Sequence, residues 1–521
     1  MKKLLFITCL FGSQILFAQI NTIKWGTLKK PTGGMMTIIP KSGDDFFALR
    51  RTGGSFMGSY QISKHQGLDQ IKKGKIRLTA DNSMAVFEEA TCINDKLYVL
   101  LSDKKDKKNQ LYIQEYDENI QPKGVAIKLC ELAEFNFKSA NSFKIIQSKD
   151  RNYLGIIWEN ESKKEFKSSY GYRIFNNEIN NISEGTYELS KGAKLETIHS
   201  HHLSNTGDYF ISVIEYDTKQ ENQLFKNRPL YKSFNISHVT PEGLDDYALN
   251  LKGKRVEQMT MNSDDTHLIT ITGLYSESEG MGVSGIFHLR LDFDKQNVES
   301  EGFQKFGVDF ITKDWTKKEI ERSEKKQEKG KGEPQLYNYE IKNASVLKDG
   351  SILVSIEQFF IENNSYSDPR TGTIRTNYIY QYNDIITYKI GVDGRFDWIL
   401  KIPKQQISSN DYGPFSSYHS FIDGDKISFI FNDNTKNYNE NGTFIESKEI
   451  DEANFGTRKN AVSIVQVDIN TGQFNRSILS KGAEIESIVI PKLFITDYIS
   501  NQLILYAISG RKEKFGILKM K

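Results

Sequence analysis

Short runs of apolar, β-branched and aromatic residues alternate with polar turns along almost the whole chain, which is the pattern of buried and half-buried strands. One unit recurs eight times, a polar turn between two such runs: Ser42-Gly43-Asp44, Asn94-Asp95, Lys149-Asp150, Asn205-Thr206-Gly207, Ser263-Asp264, Lys348-Asp349-Gly350, Asp423-Gly424 and Ser500-Asn501. Around Asn94-Asp95 the runs 87–93 and 97–101 are followed by 111–116, a second turn at Asp117-Glu118-Asn119, and 125–129. That order describes four short strands joined up and down, and it returns around Lys149-Asp150 with 172–175, a turn at Asn176-Asn177, and 187–189. The first five turns lie about 50 to 58 residues apart and the later ones about 75 to 85, the wider repeats containing insertions rather than missing turns.

A four-stranded meander repeated at this period is the sequence signature of a radial array of small sheets. The third-to-fourth turns, placed at Ser63, Asp117, Asn176, Pro241-Glu242-Gly243, Asp294, Asp393-Gly394 and Asn470-Thr471-Gly472, fall one short of eight, because the sequence stops after the run 515–520. An unpaired edge there is a liability, and the leftover segment 21–28 (NTIKWGTL) supplies the missing strand. In this closure the chain resembles the β-propellers, in architecture only. The repeated tryptophan-aspartate, kelch and quinone-binding tryptophan motifs of named propeller families are absent, so no family's activity is implied. The expectation is an all-β single propeller over 20–521, with eight four-stranded blades and the N-terminal strand closing the last one. Two adjacent β-sandwiches or a seven-bladed ring are the alternatives, and sandwiches do not explain the even repeat.

Residues 1–19 read as an export signal, with Lys2 and Lys3 before an apolar run from Leu4 to Phe17 and small Ala18 at the cleavage point. Cys9 lies within that run without the small residue expected before a lipid-modified cysteine. The run is too short to span a bilayer and no later one is long enough. The expected location is therefore periplasmic, cell-surface or extracellular. Lys and Arg total 69 against 67 Asp and Glu, a formal charge of +2, so no global field draws in nucleic acid or an anionic membrane. Cys92 and Cys130 remain after processing. They belong near opposite ends of the first and fourth strands of one blade, too far apart to bridge, and two free thiols are expected.

In an up-and-down blade the first-to-second and third-to-fourth turns share one face of the ring. The second-to-third loops and the inter-blade connections share the other. The first set is short throughout; the insertions 159–169, 217–229, 276–284, 363–377 and 432–460, and the inter-blade segment 308–336, fall in the second. One-sided elaboration marks the binding face of a repeat protein, although long surface loops are also cheaply tolerated. Residues 313–329 (KDWTKKEIERSEKKQEK) have helical composition, with Trp315 and Ile320 as anchors and 330–334 as the stop.

Chemistry is sparse. His199 and His201 on one strand are weak metal candidates, expected on a common face about 7 Å apart; ordinary packing is the competing reading. Asn432, Asp433, Asn434, Asn437, Asn439, Glu440 and Asn441 are rich in oxygen ligands without the spacing of a calcium loop. Nucleophile-elbow, phosphate-loop, dinucleotide and metalloprotease motifs are absent, and no cofactor is expected. The function these features point to is a binding or scaffolding module for an envelope or extracellular protein, or a glycan. The protein is expected to act as a monomer through its long-loop face, with Trp315, Tyr366, Arg370, Tyr438 and Phe444 as contacts. The rival is a polysaccharide-active hydrolase or lyase with carboxylates at the channel mouth, at least one of displaced pKa.

Overall fold

The computed structural model describes residues 23–520 except 54–57, 106–107, 133–142, 161–166, 193–194, 222–227, 250, 264–267, 278–281, 314, 316, 329–333, 368–369, 371 and 447–448. Residues 1–19, expected to be an export signal, lie outside the described residues.

Eight antiparallel meanders form a β-propeller. Blade 1 comprises Gly34–Pro40, Asp45–Thr52, Ser59–Gln66 and Asp69–Lys75, and blade 2 Val86–Ile93, Lys96–Lys105, Lys108–Tyr116 and Ile127–Leu132. Blades 3, 4 and 5 begin at Lys144–Gln147, Glu196–Leu203 and Arg255–Ser263 and repeat the order. Blade 6 comprises Tyr339–Val346, Ile352–Ser367, Ile374–Ile390 and Phe396–Ile402, with Gln406–Ser409 as an added strand, and blade 7 begins at Tyr418–Asp423. In blade 8, Gln502–Ser509 and Lys512–Lys519 are completed by the N-terminal strand Lys24–Trp25, Lys24 pairing Ile517 and Trp25 pairing Gly516. The first and last segments therefore share a blade, as the strand count predicts.

The core follows from strands that are apolar on both faces. In the second strand of blade 2, Leu97, Val99 and Leu101 pack against blade 1, while Tyr98 and Leu100 pack against blade 3. Eight such clusters among the described residues each join one blade to the next, the last joining Ile504, Tyr506 and Phe515 of blade 8 to Ile38, Phe46 and Ala48 of blade 1. Apolar burial thus ties the whole circle, and no single blade has a core of its own.

Three local expectations need correcting. The third-to-fourth turn of blade 1 lies at Gly67-Leu68, where Gly67 takes φ +55°, and Ser63 sits within the strand. The insertion 363–377 is chiefly an extension of two strands: Ile352–Ser367 and Ile374–Ile390 pair out to Ser367 and Ile374 as an arm beyond the blade. Alternating residues in both strands keep the arm extended. In the 308–336 insertion the helix spans Lys317–Glu328, after a short turn of helix at Val308–Thr312. No helix among the described residues is long and apolar enough to cross a membrane.

Candidate functional site on the long-loop face

The innermost strand of each blade runs from the long-loop face toward the short-turn face. In blades 1 and 2 its first half is open and its second half buried. Five of these strands carry a bulge at a corresponding place, inserting Met36, Glu88, His199, Glu257 and Lys342. A bulge bends its strand and re-aims the side chain there. At the short-turn face Arg151, in the first turn of blade 3, donates from Nη1 to the Pro40 carbonyl of blade 1 at 3.3 Å. Above it lies a cavity of about 310 Å³ lined by Met36, Glu88, Glu89, Cys92, Gln147 and Arg151, among others. Glu88 accepts from Ser102 Oγ, and burial pushes the Glu89 carboxyl above its ordinary range.

The blade 6 arm forms the opposite wall. Cross-strand register puts Phe359 opposite Tyr382, Ile361 opposite Tyr380, and Asn363 opposite Tyr378, all on one face that continues to Ile374. The Phe359 and Tyr382 rings lie 4.5 Å apart and Tyr412 lies 5.7 Å from Tyr380. Tyr412 is 80% exposed, Ile374 73%, Ile361 45% and Tyr378 44%, so this aromatic stripe is open to solvent along its outer length. At its channel end Lys492 Nζ lies 4.2 Å from the Tyr382 ring centre and Lys342 Nζ lies 5.5 Å from that of Phe359. Lys492 also donates to Tyr382 Oη at 2.8 Å and to the Gly413 carbonyl at 2.7 Å. The residue as a whole is exposed, but desolvation pulls its pKa down to about 8 against the partial opposition of Glu357.

The stripe is held by a buried polar base. Glu357 faces Lys404 Nζ at 2.9 Å and accepts from Ser417 Oγ at 2.6 Å, while Lys404 donates to the Tyr382 carbonyl at 2.9 Å and to Gln406 at 3.0 Å. Burial drives the Lys404 pKa down, partly offset by Glu357. The segment that delivers Tyr412 places Asn410, Tyr412 and Ser417 at φ +56°, +64° and +72°. Such positive-φ side chains persist only where surroundings hold them, and they gather at functional sites. Here Asn410 exchanges hydrogen bonds with the Tyr378 backbone at 2.9 Å, and the Ser417 amide donates to Gln406 at 2.7 Å.

The residues singled out from sequence are dispersed. Tyr366 is 48% exposed but pairs with Arg375, on the reverse face of the arm, and Arg370 is exposed at its tip. Trp315 packs partly into the cluster between blades 5 and 6. Tyr438 is an interior residue: its hydroxyl bonds Asp433 at 2.6 Å and Ser463 at 2.7 Å, and accepts from Arg476 Nε. Phe444 stacks on the Arg476 guanidinium at 4.1 Å. Both anchor the 435–459 insertion, because a buried Asp433–Arg476 pair needs every remaining donor and acceptor satisfied. Asn432, Asn434, Asn437 and Asn460 are bound into the same insertion by hydrogen bonds, so turn and anchor chemistry accounts for these oxygen-rich side chains.

His199 and His201 do not share a face. The bulge at His199 breaks the alternation, sending His199 toward Phe234 on the blade 5 side and His201 to the Tyr209 hydroxyl at 2.8 Å on the blade 3 side. No group of three metal-ligating side chains occurs among the described residues. Sequence reasoning missed Tyr378, Tyr380, Tyr382, Tyr412 and Lys492, although the period-two spacing of the first three was a visible signal.

No family model matches the sequence, and no curated protein matches it. Solved structures similar in fold include the β-propeller domain of the Trilobed protease from Pyrococcus furiosus, at 11% identity and TM-score 0.32, covering 72% of this chain and 98% of that one. The WD40 domain of SCAP from fission yeast is 9% identical, TM-score 0.35, covering 96% and 99%. The polysaccharide lyase Uly1 is 10% identical, TM-score 0.39, covering 98% and 94%. These are likenesses of fold alone.

Proposed function

We propose that the protein is an exported β-propeller that binds a glycan or a protein on its long-loop face, and that a carbohydrate strand lying along the blade 6 arm suits the geometry best. The observation that carries this reading is the aromatic stripe in which Tyr378 and Tyr412 are exposed beside the buried Tyr380 and Tyr382, flanked by amides and closed at one end by two lysines. Sugar rings present C–H faces to aromatic rings and hydroxyls to amides, and a chain bearing carboxylates or sulfates gains a further partner at Lys342 and Lys492. The strained but hydrogen-bonded support of Tyr412 keeps the platform formed before the ligand arrives, which lowers the ordering cost of binding.

Calorimetric titration with neutral and acidic oligosaccharides tests the reading. Saturable binding that is weakened about tenfold by Tyr412→Ala, with folding unchanged, supports it. Binding that is indifferent to Tyr412 and Tyr378 removes the arm from the site. Export is supported by the pattern of residues 1–19, and N-terminal sequencing of protein recovered from its own cells checks cleavage near residues 19 to 21.

A catalytic reading is favoured by a different observation, the adjacent Glu88 and Glu89 in the axial cavity with the Glu89 carboxyl raised by burial. A carboxyl whose pKa is raised by desolvation suits general acid catalysis on a polysaccharide. Appearance of new chain ends with the native protein and their loss in Glu89→Gln, at unchanged glycan affinity, would establish it.

A further inference from the structure

A second cavity, of about 170 Å³, lies in the seam between blade 8 and blade 1, away from the arm. Its roof is the connection that follows the N-terminal strand, where Lys29 and Glu513 exchange backbone hydrogen bonds at 2.9 and 2.8 Å. Four cationic residues line it, Lys29, Lys30, Arg50 and Lys73, against the single carboxylate of Glu513, and Lys514 also borders it. That carboxylate is already engaged by Arg50 Nη2 and by the Tyr506 hydroxyl. Lys514 is turned away, donating to the Ile485 carbonyl and lying 5.0 Å from the Trp25 ring.

Two deeply buried atoms of residues that line the cavity have no hydrogen bond among the described residues, Arg50 Nε and His65 Nδ1; both residues are 4% exposed. A buried guanidinium N–H left unmade is costly, and native interiors rarely tolerate it. Ser63 Oγ accepts from Arg50 Nη1 at 2.9 Å and lies 3.1 Å from His65 Nε2 and 3.4 Å from the Ala48 carbonyl. The hydroxyl can give its proton to Nε2, or take the Nε2 proton and give its own to Ala48, so both tautomers of His65 fit this contact. Desolvation, with Arg50 and Lys29 adding to it, holds His65 neutral with a pKa of about 3.

We infer that this seam cavity is a binding site for one tetrahedral oxyanion group, a phosphate or a sulfate, received between the Arg50 guanidinium in its wall and Lys29, Lys30 and Lys73 at its mouth. Donors converging from several directions suit a tetrahedral group better than a planar carboxylate, and the volume takes one such group with room for solvent. Because the roof is the closing segment of the ring, an occupied site also ties the N-terminal strand down.

The test is calorimetry on the mature protein with inorganic sulfate, inorganic phosphate and a monosaccharide sulfate ester, each against chloride at matched ionic strength. One-to-one saturable binding of sulfate or phosphate, weakened about tenfold or more by the exposed-site variant Lys30→Gln/Lys73→Gln, is the expected result. Binding of the ester as tightly as the free ion places the group on a glycan; binding of the free ion alone makes it a solution anion. Heat no greater than with chloride, or the same affinity in the double variant, overturns the proposal. The Tyr412→Ala variant should bind the ion unchanged, which separates this site from the arm.

Discussion

Arg50 and Glu513 form a buried ion pair across 463 residues of sequence, joining the second strand of blade 1 to the third strand of blade 8. The Tyr506 hydroxyl donates to the second Glu513 oxygen at 2.6 Å, and Ser63 takes the other Arg50 nitrogen at 2.9 Å. Removing one partner leaves a charge stranded in the seam. Glu513→Ala should lower the unfolding free energy by about 3 to 5 kcal/mol, whereas a joint Arg50→Met/Glu513→Leu change should cost much less. Urea unfolding of the two variants checks this; equal losses would show that the pair is no better than packing.

Close approach at the strap gives a second prediction. A Cβ on Gly516 would lie 2.8 Å from the Trp25 ring and 2.9 Å from Ile23, because the N-terminal strand passes directly over it. Gly516→Val should therefore displace Lys24–Trp25 and destabilise the ring by about 1 to 3 kcal/mol. Limited proteolysis near residue 25 should accelerate in this variant before any internal site becomes sensitive.

Acid should unfold the ring through its histidines. Desolvation lowers the pKa of His65 and His201 to about 3 and of His202, His288 and His419 to about 4, from 6.5. Each stays neutral when folded and takes up a proton when unfolded, so stability is full above pH 6.5 and is lost as pH falls toward 4. Each group contributes a slope of up to about 1.4 kcal/mol per pH unit in that window. The urea midpoint should drop steeply between pH 6.5 and 4, and His419→Gln should flatten the curve.

The two cysteines should be silent until the fold opens. Burial raises Cys92 to about 11 and Cys130 to about 12, and neither forms a disulfide. A thiolate is the reactive species, so a thiol reagent at neutral pH should label neither in the native protein and both in denaturant. Rapid native labelling of Cys92 would mean that the axial cavity beside it opens further than the structure shows.

The blades were legible because one turn chemistry is repeated, and the strap because the last blade lacked a fourth strand while one was left over at the N-terminal end. The arm was legible as an insertion but not as a hairpin, since the register of Asn363 with Tyr378 depends on partners in the other strand. Tyr378, Tyr380 and Tyr382 announce a stripe by their spacing. Tyr412 and Lys492 join it from elsewhere in the chain, and no local pattern marks them. His199 was misplaced by the bulge, which shifts alternation without changing composition. Tyr438 and Phe444 looked like surface anchors because their partners, Asp433 and Arg476, are set on separate strands.

Lys492 makes the arm's ligand preference depend on pH. Its ammonium is desolvated against Tyr382 and Gly413, so it loses its proton near pH 8 instead of 10.5. An acidic oligosaccharide that contacts it should bind well below pH 8 and progressively less above it, while a neutral one should show no change over the same range. Lys492→Gln should abolish that step and leave stacking on Tyr412 intact, lowering affinity for the acidic ligand at pH 7 to roughly the value the native protein shows at high pH. The folded state disfavours the charged lysine, so between pH 8 and 10.5 the unfolded chain binds more protons and intrinsic stability rises with pH from this group. Weaker binding above pH 8 therefore cannot come from loss of fold through Lys492. An affinity for the acidic ligand that holds constant to pH 10 would remove Lys492 from the contact.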